Sequence, residues 1–134
     1  MHIKVISQRD EIFILNPGER IVHIAFRPSN KDIFALVEAC PKLEAIQLPP
    51  SYFRTLAKTV EMFCTMQKIQ LLEGDVWGFR KDLCEHMEIS PDLLERIAEL
   101  KKDNVPEHAI AEELKRKSGV SPGMLNFVIG KVKA

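Results

Sequence analysis

Twice in the first half of the chain an apolar run ends in proline and serine. Ile24-Ala25-Phe26-Arg27-Pro28-Ser29 and Ile46-Gln47-Leu48-Pro49-Pro50-Ser51 share this design, with residue 46 standing 22 places after residue 24. Proline lacks the N–H that a strand ladder needs, so each run must stop there. A serine just beyond supplies the oxygen that caps a helix. The spacing therefore predicts a helix over 30–39 and a second helix beginning at Tyr52. Two successive strand–helix units imply parallel strands joined by right-handed crossovers. With Ile3-Lys4-Val5-Ile6 as a further strand, the expectation is a small α/β fold with a three-stranded parallel sheet. The run 21–26, Ile-Val-His-Ile-Ala-Phe, is apolar at nearly every position, which suits a strand covered on both faces. The offset also lies in the leucine-rich-repeat range, and "CPKLEAIQL" has that local flavour, but two units are too few for a solenoid.

Between the first two strands, Ser7-Gln8-Arg9-Asp10 reads as a weak capping box opening a brief helix through Leu15. Asn16-Pro17-Gly18-Glu19 is a turn. After Tyr52, Phe53, Leu56, Val60, Phe63, Cys64, Ile69 and Leu72 recur at roughly helical spacing. They predict one long helix over 52–72 with Gly74 as its C-cap. No strand is expected beyond Gly78. Residues 79–88 are expected to be helical, and Ser90-Pro91 to open the next helix. The organisation expected is an α/β part, 1–78, followed by a helical part, 79–134.

At 134 residues the chain is long enough to bury a core without metal or disulfide staples. Nineteen basic residues balance nineteen acidic ones, so no net field draws in nucleic acid or membrane, and any such contact needs a local patch. Cys40, Cys64 and Cys84 are widely spaced and form no Cys-x-x-Cys motif, which predicts reduced, buried thiols. Met1-His2-Ile3-Lys4 lacks a signal peptide's apolar run, and no stretch reaches the length of a membrane span. A soluble, cytoplasmic protein is expected, with no membrane partner.

The last three helices carry the one functional hint. "IAEELKRKSGVSPGML" resembles a helix-turn-helix. Ala111 lets two helices cross closely, Gly119 permits a left-handed turn residue, and Val120 plugs the core below. One departure stands out: Lys115-Arg116-Lys117-Ser118 intervenes between Leu114 and the glycine, about one extra helical turn. From Lys115 onward there are five basic residues and no acidic one. Lys115, Arg116, Lys117, Lys131 and Lys133 could contact phosphates, with Ser121 at the last helix's N-cap. Leu125, Val128, Ile129 and Val132 are expected to face inward. Gly123, Asn126, Phe127 and Gly130 then face outward, and only Asn126 could make a bidentate contact to adenine. The competing reading is a helical hairpin packed on the α/β part with a solvated basic rim.

Other candidates are weaker. Cys84-Glu85-His86 puts its two ligand types on different helix faces, so no metal site is expected. Gly74-Asp75-Val76-Trp77-Gly78, followed by Arg80, reads as a binding loop or as a hinge plugged by Trp77. His23, inside an apolar strand, is expected to be buried and hydrogen-bonded. Arg27, Ser29 and Asn30, with Ser51, Tyr52 and Arg54, share the carboxyl edge of the sheet, where open α/β sheets bind ligands. They form the best place for a small anion, though no glycine-rich phosphate loop accompanies them. No nucleophile–base pair or paired carboxylates stand out, so neither an enzyme nor a cofactor is expected.

"SQRDEIFILNPGERIVHIAFRPSNKDIF", "CPKLEAIQLPPSYFRT" and "IQLLEGDVWGFRKD" together resemble a family of small proteins from methanogenic archaea, a domain of unknown function. The resemblance spans nearly the whole chain. It implies an archaeal, cytoplasmic protein and brings no catalytic residues with it. The leading expectation is a non-catalytic nucleic-acid-binding or regulatory protein that contacts DNA or RNA through its last helices. The alternatives are a protein-interaction adaptor or homodimer, and a small anionic-ligand sensor.

Overall fold

A computed structural model describes residues 2–74, 86–118 and 120–132. The first strand, β1, is His2–Ile6, and a 3-10 helix, Arg9–Ile14, connects it to β2, Ile21–Ile24. Helix α1, Asn30–Ala39, leads to β3, Ala45–Leu48. A single turn, α2 (Pro50–Phe53), and helix α3 (Lys58–Met66) lead to β4, Gln70–Glu73. A short strand β5, His86–Glu88, is followed by α4 (Pro91–Lys102), α5 (Glu107–Ser118) and α6 (Pro122–Lys131).

The sheet order is β4-β3-β2-β1-β5. Neighbours among β1 to β4 run parallel, and β5 pairs antiparallel with β1. Four parallel strands replace the three expected, and β5 lies where a helix over 79–88 was expected. The long helix expected over 52–72 is also corrected: its carboxyl end is β4. Ile69, Leu71 and Leu72 fit a helical stripe and a buried strand equally well, because periodicity is ambiguous for short apolar runs. Lys68 settles the break, with a left-handed φ of 60° that no continuing helix accepts. Gly74 therefore ends a strand rather than capping a helix. The boundary expected at 78, the binding loop with Asp75, Trp77 and Arg80, and Cys84 lie outside the described residues.

The serines split in their roles. Ser29 caps α1 as expected: its Oγ accepts from the Asp32 N–H at 3.2 Å, and its own N–H donates to the Asp32 carboxylate at 2.8 Å. Ser51 does not cap, because α2 starts one residue earlier at Pro50. The capping box at Ser7 gives way to a 3-10 helix whose N-cap is Gln8.

The connections determine which faces are covered. The strands advance β1, β2, β3, β4 in one direction across the sheet. Right-handed crossovers taken in one direction all fall on one face. The 3-10 helix, α1, α2 and α3 accordingly share one core, in which Ile12, Ile33, Leu36, Val60 and Cys64 meet Ile6, Val22, Ile24, Ile46 and Leu48. The opposite face presents Ile3, Val5, Ile21, Ala45 and Leu72, and it is covered by α4, α5 and α6 through Ile97, Ile110, Leu114, Met124, Leu125 and Val128. Without that cover, five apolar strand positions would meet water. The C-terminal helices thus form the third layer of a sandwich.

Candidate nucleic-acid interface

Helix α6 runs against the strands. Its first turn lies over the carboxyl ends of β3 and β4, and its last turn over their amino ends. At the start, the Gln47 side-chain N–H donates to Ser121 Oγ at 2.7 Å. Gln47 is fully buried in β3, beside His23 in β2, and its Oε1 lies 2.9 Å from His23 Nδ1. Buried His23 and Gln47 with half-buried Ser121 form a polar chain from the sheet centre to the N-cap of α6. Two close approaches hold this end. A Cβ on Gly74 would lie 2.4 Å from Ser121 Oγ, and one on Gly123 would lie 3.2 Å from the Glu73 carbonyl oxygen. At the other end, Lys131 Nζ meets Glu44 at 2.8 Å and lies 5.5 Å from the centre of the Phe127 ring.

These contacts sort the nucleic-acid residues named from the sequence. Phe127, expected outside, is buried together with Met124, Leu125, Val128 and Ile129. The sequence reading erred there because it allowed α6 one apolar stripe, whereas α6 has both α5 and the sheet to face. Asn126 is exposed in the narrow stripe with Pro122 and Gly130. Ser121 points inward to Gln47 rather than to a ligand. Lys131 is held at the amino edge by Glu44. Lys115 is exposed on α5, and the backbones of Arg116 and Lys117 continue its last turn. The side chains of Arg116 and Lys117, and all of Lys133, lie outside the described residues.

The second set, on the carboxyl edge, is drawn together in part. The Arg27 guanidinium stands 5.2 Å from the centre of the Tyr52 ring and donates to Thr55 Oγ1 at 3.3 Å. Tyr52 and Thr55 flank Arg54, which lies 3.7 Å from Glu73. Ser29 is occupied in the α1 cap with Asp32, and Arg9 grips the same carboxylate at 2.8 and 2.9 Å. Burial pushes the Asp32 carboxyl up, but hydrogen bonds from the Ser29 N–H, Arg9 and the Ser29 hydroxyl outweigh it and leave the pKa below the usual value. Asn30 and Ser51 are exposed; the Ser51 carbonyl oxygen accepts from the Thr55 hydroxyl at 3.4 Å, the same hydroxyl that Arg27 meets.

The two sets are adjacent. Arg54 contacts Glu73, Glu73 backs onto Gly123, and Gly74 abuts Ser121. Lys117 precedes Ser121 by four residues, so its backbone lies within about 14 Å of that corner even if the chain is extended. Arg54, through Glu73, thus stands at the carboxyl end of β4 where α6 begins, and the α5 backbone leads into the same corner. Sequence reasoning missed Gln47 and Glu73 as the residues that bring these parts together. A lone Gln in an otherwise apolar strand was the available signal. Among the described residues, no group of three or more His, Cys, Asp or Glu could hold a metal ion, and no helix is long and apolar enough to cross a membrane.

No curated protein and no solved structure matches this chain. Residues 92–130 match the family model described as a protein of unknown function (DUF1699), C-terminal HTH domain. Residues 2–85 match that family's N-terminal domain, so the chain belongs to the DUF1699 family.

Proposed function

We propose that this is a non-catalytic nucleic-acid-binding protein that grips phosphates along the carboxyl rim, and that α6 does not read bases in a groove. One observation carries the reading. The segment matched as a helix-turn-helix ends α5 in Lys115, Arg116 and Lys117, with no acidic residue from there to Ala134. Arg27 and Arg54, both exposed at the carboxyl edge of the sheet, are the further cations this reading enlists. A helix that reads the major groove needs a free face carrying several polar side chains. On α6 that face is reduced to Asn126 between a proline and a glycine. Phosphate contacts fix affinity and register and carry no sequence information. The expected behaviour is affinity with little sequence preference and a strong dependence on salt.

Binding to duplex and single-stranded probes across salt concentrations tests this. Each phosphate contact contributes a slope of about 0.9 in log affinity against log salt for duplex, and about 0.7 for single strands. Replacing Lys115, Arg116 and Lys117 together by Ala should lower the slope by about two to three contacts' worth, and Arg27→Ala by about one. Asn126→Ala should change neither affinity nor slope. Absence of binding at low salt, or an unchanged slope in the triple variant, refutes the reading. A second reading, association with another protein chain, rests on a different observation: large apolar side chains stand exposed on the layer opposite α4, α5 and α6.

A further inference from the structure

We infer that the layer formed by the 3-10 helix, α1 and α3 is the interface of a two-fold homodimer. Among the described residues, the large apolar ones left in water are Phe13 at 80% exposure, Ile14 at 83%, Phe34 at 40%, Met62 at 65% and Met66 at 76%. All five belong to this one layer, and none to α4, α5 or α6 among the described residues. Exposed apolar residues scattered singly need no explanation, but their collection on one face marks an interaction surface. Between α1 and α3 runs a groove of about 580 Å³, lined by Phe34, Val37, Pro41, Phe63 and Ile69. Phe34 and Phe63 meet edge to face across it, 4.8 Å between ring centres. The methionines beside the groove are adaptable side chains suited to packing against a partner.

The charges point to a second copy as the occupant. Lys31, Phe34 and Glu38 lie on one exposed stripe of α1. Phe34 stands near the middle, with a cation one turn before it and an anion one turn after. Neither Lys31 nor Glu38 takes part in an ion pair among the described residues. In a two-fold interface the same patch is used twice, so residue i meets j while j meets i. An axis passing close to Phe34 lays α1 antiparallel to its copy, with Lys31 opposite Glu38 on both sides. One stripe thereby supplies its own complement. The arrangement seats Met62 and Met66 of each copy at the rim of the other's groove. It also leaves α4, α5 and α6 on the two outer surfaces.

Sedimentation equilibrium of the full chain is the test. The weight-average mass should rise with concentration from 15.3 kDa towards twice that value. Glu38→Lys places like charges opposite each other twice and should weaken association by about tenfold or more. The exchange Lys31→Glu with Glu38→Lys restores complementarity and should recover most of that loss. Met62→Lys with Met66→Lys should give a monomer, and circular dichroism checks that it stays folded, as exposed substitutions should allow. A wild-type mass that stays at one chain up to several hundred micromolar overturns the inference. So does a dimer that survives the methionine variant, or a double charge exchange no better than Glu38→Lys alone.

Discussion

Removing the Ser121 hydroxyl probes the seam between the helical layer and the sheet. Ser121 is the N-cap residue of α6, yet its oxygen caps nothing there; it accepts the buried Gln47 amide N–H at 2.7 Å. Ser121→Ala therefore loses no helix cap. It strands a donor on a side chain with no exposure to solvent. A buried polar group left unsatisfied costs about 1–3 kcal/mol, whereas a matched apolar replacement of both partners is nearly neutral. The expected cost of Ser121→Ala is thus about 2 kcal/mol, or a fall in Tm of roughly 6–10 °C for a chain of this length. In a Gln47→Leu background the same substitution should cost under about 0.5 kcal/mol, because the stranded donor is gone. The difference, about 1.5 kcal/mol or more, is a coupling between residues 74 positions apart in sequence. Urea unfolding of the four proteins of the cycle measures it. If the two substitutions add to within about 0.3 kcal/mol, the hydroxyl and the amide do not meet, and the account of how α6 is seated fails.

Three further outcomes follow from the same packing. Ile129→Ala, on the buried side of α6, should cost about 2–4 kcal/mol in chemical unfolding, while Asn126→Ala, exposed on the other side, should stay within about 0.5 kcal/mol. Asp32 has its pKa lowered in the folded chain, so its contribution is present above the unfolded value near 3.9 and is lost as pH falls through the folded one. Asp32→Asn should accordingly lower stability at pH 7 by about 1–2 kcal/mol and flatten the decline in stability below about pH 4, read by thermal melts across pH. Burial raises the thiol pKa of Cys40, with Glu19 adding to the rise, and burial raises that of Cys64. Mass mapping after brief alkylation at pH 8 should find both unmodified until the chain is unfolded.

The sequence made the strand–Pro–Ser–helix repeat plain, because proline and serine act locally whatever surrounds them. Ser29 performed as its position suggests. Ser51 did not, because Pro49-Pro50 allows a helix to start at either proline, and only the packed structure decides. The strand at 70–73 was hidden for a related reason. Ile69, Leu71 and Leu72 suit both periods, and the break depends on the backbone turn at Lys68 rather than on a glycine or proline. The hairpin reading anticipated that α6 packs on the α/β part, but Phe127 was expected outside and is buried. The run at 21–26 already shows a strand covered on both faces, and crossovers taken in one direction cover only one. A second cover had to come from the tail, and the helices of the helix-turn-helix segment were the available ones. Buried Phe127 and the Gln47–Ser121 hydrogen bond are consequences of that requirement. The candidate site was half legible: Arg27 and Arg54 could be placed at the strand ends by counting, but the seating of Ser121 and Gly123 against Gly74 and Glu73 depends on α6 lying across β4.

Native-state hydrogen exchange tests the shared core of the sheet and α6 most directly. Amides in α6 and in β3 should open with the same free energy and the same denaturant dependence, because one cannot be exposed while the other stays folded. If the α6 amides exchange through a smaller opening while β2 and β3 remain protected, the tail is a separable module, and the claim that it forms the second cover of the sheet is wrong.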